Sequence, residues 1–142
     1  MKLKSDLKNK IVVITGGAGL IGKGFVRAVV ENGGTAIIAD IDEFSGNKVK
    51  DEISKELATD KIDFIKVDIT SREAIQGMID VIISKHKMID ALVNNAYPRN
   101  KNYGKNFEDV TYEDFCENVN LHLGGYFLMS QEVSRVMVKQ KS

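Results

Sequence analysis

Two hydrophobic periods alternate along this chain. Short continuous apolar runs are followed by longer stretches in which apolar positions recur every three or four residues. The first run, Ile11-Val12-Val13-Ile14, predicts a strand over 10–14 that is buried on both faces. Helix 20–32 follows and stops at Gly33-Gly34; strand 35–40 and helix 44–58 come next. After strand 62–67, Thr70-Ser71-Arg72-Glu73 has capping-box spacing and opens a helix with Ala74, Met78, Val81 and Ile82 on one face. Strand 89–94 leads into a segment without period, 95–110, which holds Pro98, Gly104, Asn100, Asn102 and Asn106 and reads as a loop at the carboxyl end of the sheet. Thr111 then caps a long helix, 111–139, that is apolar over most of its circumference. Strand-helix pairs joined by short connections predict an α/β fold, with a parallel sheet covered by helices on both faces. There is no internal repeat and no break in composition, so residues 1–142 form one domain.

The first strand runs directly into Thr15-Gly16-Gly17-Ala18-Gly19-Leu20-Ile21-Gly22. Glycines at such a turn let backbone N–H groups approach a pyrophosphate, and Gly22 lets the next helix pack closely and aim its positive N-terminus at the anion. A glycine-rich turn that holds nothing has the same sequence, so the turn needs support from elsewhere. Asp40 gives that support, because it ends the second strand about 20 residues further on, where a carboxylate accepts both hydroxyls of an adenosine ribose. It favours NAD over NADP: a 2′-phosphate would meet a like charge there, and neither the turn nor Ile41 offers a cation. Lys23 is the one cation close by, and a carboxylate at position 40 could equally cap the helix that follows.

Composition narrows the function classes. Twenty basic and twenty acidic side chains cancel, which leaves no footprint for nucleic acid or an anionic membrane and points to a small-molecule partner. The lysines at 2, 4, 8 and 10 read as a solvated arm, and the apolar stretch after them breaks at Gly16, too early for a signal peptide or a membrane span. Cys116 is the only cysteine; it excludes an internal disulfide, fits the cytoplasm and reads as a helix-packing residue. His86 and His122 lack a second ligand at helical spacing, so no metal site is predicted.

The glycine turn, Asp40, Asp68 after the third strand, Asn94-Asn95-Ala96 after the fourth and Val119-Asn120-Leu121 in the last helix together resemble the short-chain dehydrogenase/reductase family. They fall in the family's order and span almost the whole chain. The resemblance implies a Rossmann-type doubly wound sheet, here about four strands of it, and a nicotinamide cofactor. It also assigns roles. Thr15, Gly16, Gly19, Leu20, Ile21 and Gly22 would hold the pyrophosphate, Asp40 and Ile41 the adenosine ribose, and Asp68 and Ile69 the adenine. Asn94, Asn95 and Ala96 would serve the second ribose, and Asn120 would be the catalytic asparagine that holds a water in the proton relay. Asp68 could alternatively be only a helix cap, Asn94-Asn95 a plain turn, and Asn120 a structural amide.

Two features depart from the family pattern. The middle glycine of the turn is Gly19 where the commonest short-chain turn has it at the position of Leu20, and Tyr97 stands where glycine usually follows Asn-Asn-Ala. The Asn-Asn-Ala-Tyr-Pro form with its asparagine-rich loop is similar to a bacterial, flagellin-modifying branch that acts on sugars of surface glycans. The family's catalytic serine and its Tyr-x-x-x-Lys helix come later than Ser142, and Tyr97, Tyr103, Tyr112 and Tyr126 are not assigned as acid or base. The chain is therefore expected to be the cofactor-binding part of a longer NAD-dependent enzyme, inactive alone and paired with a second copy through its apolar last helix. A non-catalytic dinucleotide-binding module is the alternative.

Overall fold

The computed structural model describes residues 6–141, so the lysines at 2 and 4 lie outside the described residues. Four strands, β1 (Ile11–Thr15), β2 (Thr35–Asp40), β3 (Ile62–Lys66) and β4 (Ala91–Val93), form one parallel sheet in the order β3-β2-β1-β4. Helices α1 (Leu20–Glu31), α2 (Glu43–Leu57) and α3 (Arg72–His86) connect them, and α4 (Tyr112–Val119) and α5 (Gly125–Gln140) follow β4. The register sets Val13 of β1 beside Ile37 of β2 and Leu92 of β4.

Side-chain alternation along the central strands divides the core in two. Val12, Ile14, Ala36 and Ile38 point to the face covered by α1 and α2, where they meet Val26, Val29, Val49 and Ile53. Ile11, Val13, Ile37 and Ala39 point to the opposite face, against Ile75, Met78 and Ile82 of α3 and Met129 and Val133 of α5. Both faces are dry, which is why these strands read as unbroken apolar runs. The fold is a doubly wound, Rossmann-type sheet. Its strand order reverses at β1, between β2 and β4, and a ligand crevice is expected above that point.

The structure corrects several local expectations. Thr70 does not cap α3: its N–H and hydroxyl both turn back to Asp68, and Ser71 accepts from the Ala74 N–H instead. β4 starts later than the run 89–94 because the Gln140 side chain bonds both the N–H and the carbonyl of Ile89, and the Asp90 carboxylate accepts from the Ile11 N–H at the start of β1. Lys10 is no loose arm residue; its ammonium lies 2.9 Å from Asp90. Cys116 is exposed on α4, not packed. The last helix is not regular: residues 120–124 form one π-helical turn between α4 and α5, and the loop before it contains a 3-10 turn at Phe107–Asp109. No helix among the described residues is long and apolar enough to cross a membrane.

Candidate functional site

The turn after β1 is held open by backbone geometry. Gly16 has φ +64°, and a Cβ there would stand 2.7 Å from the Cα of Ala96. A Cβ on Gly22 would overlap the carbonyl oxygen of Gly16, so α1 approaches the turn as closely as glycine alone permits. The start of α1 is uncapped: no side chain bonds its first amides, and no acidic residue lies in its first turn. Unsatisfied N–H groups and the helix dipole therefore face the crevice, an arrangement suited to a diphosphate.

Around that helix end lies a cleft of about 440 Å³. Of the residues predicted from sequence, Gly16, Gly19, Leu20, Ile21, Gly22, Asp40, Ile41, Asp68, Ile69, Asn95 and Ala96 all line it. Asp40 accepts from the Ala18 N–H at 3.0 Å through one oxygen and from the Asp42 N–H at 3.1 Å through the other. Each oxygen keeps acceptor capacity for a hydroxyl. Capping of α2 falls to Asp42, which accepts from the Ser45 N–H at 3.0 Å. Lys23 is engaged elsewhere, its ammonium 2.6 Å from Glu52, and Arg99 is the cation that lines the same cleft. Asp68 spends Oδ1 on the N–H and hydroxyl of Thr70, while Oδ2 accepts no hydrogen bond among the described residues and remains open to an amino group. Asp68 therefore does not cap α3, which Ser71 does.

Thr15, Asn94 and Asn120 are placed differently. Thr15 is fully buried and does not line the cleft. Its hydroxyl accepts from the N–H groups of Asn95 and Ala96 at 2.9 and 3.0 Å, and Asn95 returns its amide to the carbonyls of Thr15 and Gly16. These bonds fix the cleft floor. Asn94 points to α5, donating to the Ser130 hydroxyl at 2.9 Å, and its Oδ1 is buried without a partner. Asn120 opens the π turn in a separate hollow with Thr70, Gly125 and Leu128, and its amide makes no hydrogen bond among the described residues.

Sequence reasoning missed Tyr97, Pro98 and Arg99, which form the remaining wall of the cleft. Tyr97 stands four residues before Lys101, the one Tyr-x-x-x-Lys spacing in the chain. That spacing pairs two side chains on a helix, whereas residues 97–101 are non-helical here. Its hydrogen bond with Tyr103 moreover holds the Tyr97 hydroxyl above the usual phenol value, the opposite of what a proton-accepting tyrosine requires. His86 bonds Asp63 at 2.6 Å, and His122 stacks edge-on against Tyr97 and Tyr126. Among the described residues no three His, Cys, Asp or Glu side chains converge on a metal position.

Comparison with known proteins agrees with this geometry. The family model described as "short chain dehydrogenase" matches residues 10–142. Post-translational flagellin modification protein A of Campylobacter coli is 39% identical over 135 residues, covering 94% of this chain and 52% of that protein. Sorbitol-6-phosphate 2-dehydrogenase of Klebsiella pneumoniae is 33% identical over 143 residues, covering 96% and 50%. Among solved structures, 3-ketoacyl-(acyl-carrier-protein) reductase of Brucella melitensis complexed with NADH superposes with a TM-score of 0.79 at 27% identity, covering 92% of this chain and 51% of that one. The chain spans about half the length of these relatives.

Proposed function

The chain belongs to the short-chain dehydrogenase family, and on that premise we propose that it supplies the NAD-binding part of an oxidoreductase acting on an alcohol or carbonyl carbon. The substrate is a small molecule, and the kinship with a flagellin modification protein and a sugar-alcohol phosphate dehydrogenase favours a sugar intermediate of bacterial surface or flagellar glycan synthesis. When bound, the nicotinamide gives or takes a hydride. This chain's residues bind and orient it. The amides at the start of α1 hold the diphosphate, Asp40 accepts from the adenosine ribose, Asp68 accepts from the adenine amino group, and Asn95 and Ala96 position the second ribose. No tyrosine among the described residues is placed as acid or base, so proton transfer is assigned to residues outside this stretch and the 142 residues alone are read as inactive. Asn120, its amide unengaged at the π turn, is read as the holder of the relay water.

The observation that carries the cofactor reading is Asp40, tied to the glycine turn and lining the cleft, with Lys23 drawn off to Glu52. Replacing it by Ala (Asp40→Ala) is expected to weaken NAD about tenfold and to narrow the lead of NAD over NADP. Calorimetric titration of both dinucleotides checks this, and an unchanged preference would overturn the assignment. We further read the protein as a homo-oligomer paired through the last helix, where Phe115, Val119, Leu123 and Phe127 are 41–64% exposed. A cytoplasmic setting fits the free thiol of Cys116, which stays reduced there.

A further inference from the structure

A second cavity of about 400 Å³ lies between the 95–110 loop and α4. Tyr97 lines both it and the dinucleotide cleft, so the two spaces share a wall at that side chain. Its lining is mixed. Aromatic surface comes from Tyr97 and Tyr103, whose rings meet edge-on with centroids 5.7 Å apart, and from His122, 4.3 Å from Tyr97. The His122 ring nitrogens make no hydrogen bond among the described residues, whereas the Asn118 amide donates to Asn100 and to the Asp114 carbonyl and the Asn102 amide donates to Asp114. Apolar faces beside an imidazole edge match a ring or chain that carries hydroxyls on a carbon skeleton.

Charge makes the site more specific. The cavity's carboxylate, Asp114, is already engaged: Lys105 lies 2.9 Å from it and the amides of Asn100 and Asn102 bond it. Arg99 lines the dinucleotide cleft, on the far side of Tyr97 from the second cavity, and has no acidic partner among the described residues. Its guanidinium carbon instead sits 5.0 Å from the centre of the Tyr103 ring and 5.9 Å from that of Tyr97. The guanidinium thus lies against two tyrosine rings with no carboxylate on it, and its N–H groups suit a planar or tetrahedral oxyanion.

We propose that the second cavity receives the substrate and that Arg99 reads an anionic group on it, so that the substrate class is a polyhydroxylated carbon chain bearing a phosphate or a carboxylate. This rests on the cofactor reading for its reaction but not for its recognition. Three six-carbon probes, sorbitol 6-phosphate, gluconate and sorbitol, separate the cases when titrated by calorimetry into the protein expressed from its own gene, with and without NAD. One anionic probe is expected to bind about tenfold more tightly than sorbitol, and which one does so identifies the oxyanion. Measured without NAD, Arg99→Met should erase the preference and Arg99→Lys retain part of it. Equal binding of all three probes, or a preference that survives Arg99→Met, overturns the proposal. So does a tenfold loss of NAD affinity in Arg99→Met, which would give Arg99 to the cofactor. If the wild type shows the preference but binds no NAD, the cofactor reading fails and the anionic substrate stands.

Discussion

Gly22 shows how little room a single residue has at this site. Its Cα lies so near the Gly16 carbonyl that one methyl group cannot fit without shifting β1, α1 or the turn between them. Gly22→Ala is expected to cost about 1–3 kcal/mol in chemical denaturation and to abolish measurable dinucleotide binding, because the turn must move to accept the methyl. A variant of wild-type stability and affinity would show the turn to be softer than its geometry. Gly16, Asp40 and Asp68 were legible at this scale because backbone approach and carboxylate chemistry leave few substitutes, and their spacing follows from the strand-helix repeat. Tyr97 and Arg99 were not, since their meaning depends on Tyr103 and His122, which reach them only through the folding of the loop. Thr70 and Ser71 illustrate the same limit. Either could cap α3, and the choice is made by Asp68, which draws Thr70 away.

At the scale of elements, α3 is fastened to β3 by charge. Burial alone would push the Asp63 carboxyl up, but Lys85 at 2.6 Å and His86 at 2.6 Å outweigh it and hold it below the usual carboxylate value. A carboxyl lowered by folding stabilises above its unfolded value, about 3.9, and that contribution disappears as pH falls through the lower folded value. Thermal unfolding midpoints measured from pH 6 down to pH 2 should therefore fall less steeply for Asp63→Asn than for the wild type; parallel curves would remove the ion pair from the ledger of acid sensitivity. The helices and strands themselves were readable from period, because β1 and β2 are buried on both faces and the helices on one. Their ends were harder to place. β4 begins late because a glutamine 51 residues away bonds Ile89, and the π turn at 120–124 leaves no mark in the apolar spacing around it.

The whole molecule buries its sheet well and its last helix poorly. Met129 and Val133 enter the core, while Leu123 in the π turn and Phe127 on α5 remain 64% and 60% exposed. Phe127→Lys is expected to lower self-association in sedimentation equilibrium with little change in the unfolding midpoint, as most of the side chain faces outward. Unaltered association would move the contact elsewhere. Fold class was legible at this scale because alternation of period admits few architectures, whereas the exposed stripe could be named only as a face requiring cover. The bare N-terminus of α1 has a last consequence. α2, α3 and α4 close their first turns with their own residues, Asp42, Ser71 and Thr111. α1 leaves that work to a guest, so nucleotide concentration becomes a variable of folding: at one hundred times its dissociation constant the ligand adds about 2.7 kcal/mol, and melting should track supply.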